Sequence, residues 1–342
     1  MAWSRLVKAL VIAGPGQAKV EDVDPPAAVP GEVIVDVHRA GICGTDLEFF
    51  TGEMQYLHTG HAEYPIRIGH EWMGVVSAVG DGVAREWIGA RVTGDTMLGC
   101  GVCRRCLAGR QHVCAFRTEI GIRGGRPGAL AEQVAVPATA LHRLPDTVDD
   151  AAGALVEPGG NAFRAVDAAA LRPGDRVLIT GPGTIGLLCA LFAHAAGAEV
   201  HLLGVEERSL AFARSLGFAG VWTEDELPEL PWDAVIEAST APHLPAKAVE
   251  LVEPGGRVVY IGLAGTPSLL DTRELALRDV TAVGVLSASP GLAGTIEAYA
   301  SGALDPRTLV AATVRLEELP GVLAGSRPAS AGPGPKFHVA IG

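Results

Sequence analysis

The chain has 342 residues, 48% hydrophobic and 19% charged, which is enough apolar material for two packed cores and excludes a disordered chain. A formal net charge of -12 excludes nucleic acid and anionic membranes as principal partners, because both need clustered cationic side chains. The opening stretch MAWSRLVKALVIAGPGQ lacks a long apolar core with a cleavage site, and no later run reaches membrane-spanning length without Gly, Pro or charge, so a cytoplasmic protein acting on small molecules is expected.

From about residue 6 to 150 the sequence reads as short strands cut by Gly and Pro: VKALVIA, GEVIVDVHRAG, MGVVSAVG, ARVTGD and LAEQVAVPA. After residue 155 the rhythm changes to strand, turn and helix: RVLIT before GPGTIGLLCALFAHAAGA, EVHLLG before EERSLAFARSLG, WDAVIEAS before LPAKAVELV, then GRVVYIGLA. Strands alternating with helices of this length predict a parallel sheet. A helix pattern, GLAGTIEAYASG, and a strand-like KFHVAIG close the chain, with SRPASAGPGPK between them as a surface loop.

The strand RVLIT runs into Gly181, Gly183 and Gly186, the G-x-G-x-x-G spacing at the opening of a helix. In that context the first glycine serves a tight turn, the second the close approach of a pyrophosphate and the third close helix packing. Thr184 and Ile185 lie within this motif, and Leu263 at the end of GRVVYIGLA is a further expected cofactor contact. The plain alternative is a tight turn without a ligand. About twenty residues on, an acid is expected for the ribose of NAD, but Gly204 stands there, followed by Glu206, Glu207 and Arg208. Glycine leaves room for a 2'-phosphate that Arg208 would pair with, whereas the glutamates repel one, so NAD is favoured over NADP.

Cys100, Cys103, Cys106 and Cys114 form C-x2-C-x2-C-x7-C, four thiols in one loop. Four thiolates complete a tetrahedral zinc and leave no open position, the requirement of a structural site; an iron–sulfur cluster is the competing reading. A second, dispersed set consists of Cys43 in AGICGTDLEFF, His70 and Glu71 in GHEWMG, and Glu157 in GALVEPGGNAF. Thiolate, imidazole and carboxylate together bind zinc while leaving room for water or an alcohol oxygen. Taken singly, each residue has an ordinary structural explanation.

The ordered motifs GICGTD, GHEWMG, the four-cysteine lobe, LVEP and GPGTIG resemble those of the zinc-dependent medium-chain alcohol dehydrogenases, especially the polyol, sugar and threonine dehydrogenase branch. The resemblance spans nearly the whole chain. It implies an α/β protein with a GroES-like β-rich catalytic domain at residues 1–155 and 293–342, containing a structural zinc lobe at 97–116. A Rossmann doubly wound parallel-sheet domain would occupy 156–292, with the active site in the cleft between the two domains.

Carried over by position, Cys43 and His70 resemble the family's catalytic zinc ligands, and Glu71 the adjacent carboxylate that ligates zinc or exchanges with water. Glu157 resembles a further ligand or a partner of zinc-bound water. Asp46 matches the aspartate that orients the ligating histidine. Thr45 matches the hydroxyl that takes the alcohol proton, with Glu48 in the outer relay where many relatives have histidine. The resemblance thus implies two zincs per chain and hydride transfer between a secondary alcohol and a nicotinamide cofactor. It also implies a homodimer or homotetramer, with VTAVGVLSAS as a strand that continues a sheet across a dimer or stays internal.

Two departures bear on substrate. Gly159, Gly160 and Asn161 stand where relatives are usually apolar, which is expected to enlarge and polarise the surroundings of Glu157. The segment TGEMQYLHTGHAEYPI offers Tyr56, His58 and His61 as pocket-lining residues or as plain surface loop. The alternatives kept open are an NADPH-dependent carbonyl reductase of the same fold and a non-catalytic dinucleotide-binding protein.

Overall fold

The computed structural model describes residues 5–342, and these fall into two compact units. The first unit runs up to Glu157 and takes in Val310–Gly332 and Lys336–Gly342; the second comprises Pro158–Leu309 and Pro333–Pro335.

The first unit is built from β1 (Val7–Gly14), β2 (Gln17–Val23), β3 (Glu32–Gly41), β4 (Glu71–Val79), β5 (Arg91–Gly94), β6 (Met97–Leu98), β7 (Thr118–Glu119), β8 (Gln133–Pro137) and β9 (Leu141–Arg143), with β3 and β4 buried along most of their length and β8 alternating. β1 and β2 form a hairpin and β6 and β7 a second small one. β3, β4, β5 and β9 are successive antiparallel neighbours, with β8 also pairing β3. Leu10, Val35, Val37, Ile68, Trp72 and Val136 belong to its continuous apolar core.

The second unit holds the parallel strands β10 (Arg176–Thr180), β11 (Glu199–Leu203), β12 (Gly220–Trp222), β13 (Trp232–Glu237), β14 (Val252–Tyr260) and β15 (Thr281–Gly284). Their spatial order is β12-β11-β10-β13-β14-β15, which renumbered within the sheet is 3-2-1-4-5-6. The order reverses between β10 and β13, where a doubly wound sheet opens its ligand crevice. The chain then returns to the first unit, adding β16 (Val310–Arg315) and β17 (Lys336–Ala340), and β17 pairs antiparallel with β3. Among the described residues no helix is long and apolar enough to cross a membrane.

The return comes later than the expected residue 293, because helix Leu292–Ala300 is committed to the second unit. Tyr299 stacks on Phe192 with ring centroids 6.1 Å apart, and Phe192 meets Phe163 edge-on at 5.6 Å. Gly159 and Gly160 serve the same packing. A Cβ on Gly159 would lie 2.2 Å from the Tyr299 hydroxyl, and one on Gly160 would lie 2.9 Å from Ala288. These glycines therefore admit neighbouring backbone and rings instead of enlarging the surroundings of Glu157.

Candidate metal and dinucleotide sites

The four thiols of the β6–β7 lobe converge. Cys103 Sγ lies 3.5 Å from Cys106 Sγ and 3.8 Å from Cys114 Sγ, and Cys100 Sγ lies 4.0 Å from Cys106 Sγ. A tetrahedron of thiolates at a Zn–S distance of about 2.3 Å has edges of about 3.8 Å. The separations fit that ion and are far too long for a disulfide. A Cβ on Gly99 would sit 2.5 Å from Cys106 Sγ, so glycine is needed where the loop folds onto the cluster. Backbone N–H groups hold Cys100, Cys103 and Cys114 below the ordinary thiol value, while desolvation and the other thiols push Cys106 up to about 11. Four sulfurs at tetrahedral spacing, three of them held toward thiolate by backbone N–H groups, fit a bound cation.

The second cluster is assembled at the entrance to β4. Gly69 has φ +104, and a Cβ there would lie 2.5 Å from the Leu130 amide nitrogen; only glycine lets the chain turn and deliver His70 inward. Cys43 precedes helix Gly44–Thr51, and its amide donates to Asp46 Oδ2 at 2.9 Å, which fixes the thiol and the aspartate together. Ligand atoms of Cys43, His70 and Glu71 lie within 4.8 Å of one another. His70, Glu71 and Asp46 are buried, and Cys43 is half-buried.

The electrostatics are those of a site built around positive charge. Burial opposes an imidazolium at His70, but Cys43, Asp46 and Glu157 outweigh it and raise its proton affinity well above the ordinary value. Burial raises the Asp46 carboxyl, with His70 pulling the other way. His70 Nδ1 and Asp46 Oδ1 are both buried without hydrogen-bond partners and stand 3.9 Å apart. That pair leaves Nε2 as the ligand nitrogen and fits a histidine whose other N–H is aimed at a carboxylate. Glu157 is buried, and Thr96 Oγ1 donates to it at 3.5 Å. Thr45 is half-buried on helix Gly44–Thr51, and Glu48, one turn on, is exposed.

One partner escaped the sequence reading. Lys336, 2% exposed at the start of β17, donates to Glu71 Oε1 at 2.8 Å, to Glu71 Oε2 at 2.7 Å and to the Ile42 carbonyl at 2.9 Å. Burial works to lower its ammonium, but Glu71 and Cys43 keep it protonated above the ordinary value. The residues lie 265 positions apart, and only an unusual lysine in a strand-like run, KFHVAIG, marked it.

Tyr56 donates to Glu119 Oε1 at 3.3 Å and accepts from Arg117 at 3.1 Å, while His58 meets the Gly52 carbonyl at 3.0 Å. His61 contacts Thr59 and lines a separate cavity of about 940 Å³ beside Arg67 and Arg123.

In the second unit the glycine motif closes the switch point. Gly181 has φ +84, and a Cβ on Gly186 would lie 2.0 Å from the Gly181 carbonyl, so helix Thr184–Ala195 packs directly on the turn. Nothing lies within 4 Å of a Cβ built on Gly183, the N-cap, and Thr184 and Ile185 begin the helix whose free N–H groups face that space. A cavity of about 350 Å³ is lined by Gly181, Gly183, Gly204, Glu206, Glu224 and His243, among others.

Gly204 lines this cavity and is glycine for a packing reason. Its Cβ position is taken by Pro182 at 2.7 Å and Leu210 at 3.1 Å. Glu206 accepts from Ser209 at 2.9 Å, and Glu224 pairs with His243 at 3.2 Å. Arg208 is exposed and absent from the lining, and Leu263 is 82% exposed.

Comparison with known proteins agrees with this geometry. Residues 29–146 match the alcohol dehydrogenase GroES-like domain, and residues 184–301 match the zinc-binding dehydrogenase family. The L-threonine 3-dehydrogenase of Idiomarina loihiensis is 33% identical over 276 residues, 77% of this chain and 79% of that protein. The chain belongs to the zinc-dependent medium-chain alcohol dehydrogenases. Among solved structures, the alcohol dehydrogenase of Thermus sp. ATN1 superposes with a TM-score of 0.88 at 28% identity, covering 98% of this chain and 100% of that one. Galactitol-1-phosphate dehydrogenase of Escherichia coli gives 0.85 at 26% identity, covering 97% and 99%. As a member of the zinc-dependent alcohol dehydrogenases, the protein is an enzyme that moves a hydride between a secondary alcohol and a nicotinamide cofactor.

Proposed function

We propose that the enzyme is a two-zinc, NAD-preferring dehydrogenase of polyols, sugars or amino-alcohols. The observation that carries this reading is the buried His70 imidazole grouped with Cys43 and Glu71, with Glu157 near enough to act on its charge and its Nδ1 facing Asp46, a donor set with the chemistry of an open zinc site. Zinc bound there supplies Lewis acidity, lowering the pKa of an alcohol oxygen. Asp46 fixes the His70 tautomer, and Thr45 takes the hydroxyl proton and passes it outward, with Glu48 exposed one turn on in the same helix. Cys100, Cys103, Cys106 and Cys114 hold the second, structural zinc.

For the cofactor, Glu206 and Glu224 line the cavity beyond the glycine turn, Glu224 paired with His243, while Arg208 does not line it, so a 2'-phosphate dianion meets carboxylates without an arginine to pair with it. Glu206 takes the role that an acid one or two residues earlier plays in other dinucleotide sites. The polar and anionic donor set suits a substrate carrying additional hydroxyl or amino groups, and the threonine and galactitol-phosphate enzymes among the relatives support that class. β15 is an edge strand with exposed residues, which supports a homodimer that extends the sheet.

The test is the initial rate of NAD and of NADP reduction by zinc-loaded protein against L-threonine, polyols, sugars and simple secondary alcohols. The reading expects turnover with NAD at least tenfold more efficient than with NADP, and Glu206→Ala narrowing that ratio. A wild-type preference for NADP would overturn the cofactor assignment.

A further inference from the structure

We propose that the first unit carries a second small-molecule site, a cavity that binds the phosphate group of a phosphate monoester through Arg67 and Arg123. The cavity has a volume of about 940 Å³, the size of a metabolite pocket instead of a single ion. All its walls belong to the first unit, and none of Cys43, Thr45, His70, Glu71 or Glu157 lines it, so it is distinct from the metal donor set.

The charged or titratable side chains on its walls are Arg67, Arg123, Arg126, His61, Glu21 and Glu63. Arg126 is already neutralised by Glu32, at 2.6 Å. Arg67 is half-buried, and among the described residues its guanidinium makes no hydrogen bond or ion pair. Burial alone pulls it below the ordinary arginine value, with no carboxylate raising it. Arg123 stands with its guanidinium 5.3 Å from the centre of the Tyr56 ring, a contact that holds the charge without neutralising it. Glu21 and Glu63 are exposed and form no ion pair among the described residues. The carboxylates are therefore screened by water, while Arg67 is partly withdrawn from it and keeps its charge. In a chain with 39 acidic and 27 basic side chains, partners for these two arginines are plentiful, yet neither has one.

The walls are already joined. The Gly124 amide donates to the His61 carbonyl at 3.0 Å, and the Gly128 amide to the Arg67 carbonyl at 2.8 Å. Gly124 and Gly125 have φ +73 and +72, and the Gly125 amide has no acceptor among the described residues. Two guanidinium forks and a backbone N–H thus stand along one cavity. A carboxylate is satisfied by a single fork, whereas a phosphate monoester offers three outer oxygens, enough for a second fork and an amide.

The test is calorimetric titration of the NADH-saturated chain with inorganic phosphate, glycerol 3-phosphate and glycerol at constant ionic strength; NADH keeps the glycine turn filled. Both phosphates are expected to bind saturably and glycerol not to bind. Arg67→Met should weaken phosphate binding about tenfold or more, and Arg123→Met about threefold or more. Arg143→Met, which removes the same charge from a guanidinium 4.2 Å over the Trp87 ring, should leave binding unchanged. Cys43→Ser should also leave it unchanged, which separates this site from phosphate held on a metal. Should Arg67→Met accumulate no folded protein, Arg123→Met decides. Absence of saturable phosphate binding, undiminished binding in the arginine variants, equal weakening in Arg143→Met, or loss of binding in Cys43→Ser would each overturn the proposal.

Discussion

The two candidate metal clusters of this enzyme are built in opposite ways. The four cysteines lie between Cys100 and Cys114, Cys100 is exposed, and the β6–β7 hairpin and local backbone N–H groups position their sulfurs. The second cluster draws Cys43 from the residue before a helix, His70 and Glu71 from a strand entrance, Glu157 from the first turn of helix Val156–Ala169, and Lys336 from β17. One is a local clip whose four sulfurs fit the corners of a closed tetrahedron; the other is a buried, charge-tuned set of donors that depends on the register of the whole β-rich unit. Closed and local suits stability, whereas open and dispersed suits chemistry.

The contrast is broken most severely at the thiols themselves. Cys43→Ser is expected to lower kcat/KM by on the order of a thousandfold or more and to remove one metal per chain, with the thermal midpoint within a few degrees of wild type. Cys103→Ser should do the reverse, lowering the midpoint by roughly 5–10 °C while the folded fraction retains most of its turnover. Calorimetry, metal analysis and steady-state rates on the same preparations check both.

Asp46→Asn sharpens the difference between holding a metal and tuning it. With the His70 Nδ1 hydrogen facing an amide in place of a carboxylate, metal affinity or turnover should fall about 10- to 100-fold, and the four-cysteine lobe should keep its zinc.

A smaller effect concerns His338, fully buried on β17 beyond Lys336, with neither ring nitrogen hydrogen-bonded and its pKa lowered to about 3 by burial, then by Lys336 and Arg39. Its folded-state value lies below the ordinary one near 6.5, so the unfolded chain binds the extra proton first. The contribution of His338 is present above about pH 6.5 and is lost as the pH falls toward 3, with a slope on the order of 1 kcal/mol per pH unit. Denaturant titrations between pH 7 and 5 should show that slope, and His338→Leu should flatten it.

The same contrast explains what the sequence made legible. The cysteine lobe and the glycine turn could be read directly because their function depends on spacing within one loop, and the alternation of strands and helices showed the parallel sheet. The packing of Gly204 against Pro182 left no mark in the sequence, because Pro182 comes from a different loop. Helix Leu292–Ala300 was assigned to the wrong unit because the ring stack of Phe192 and Tyr299 leaves no periodic signature. Lys336 was invisible for the same reason in its strongest form, since a buried lysine in a strand acquires meaning only when Glu71 is beside it.

The central claim is that alcohol oxidation here runs on the metal held by Cys43 and His70. The most direct test strips the enzyme of zinc, restores it stepwise, and follows NAD reduction with the best secondary alcohol alongside bound metal in wild type and Cys43→Ser. The account predicts that wild-type activity is lost on stripping and returns with the Cys43-dependent metal equivalent, while Cys43→Ser stays inactive at full loading of the cysteine lobe. Undiminished turnover by the stripped enzyme, or by Cys43→Ser, would contradict it.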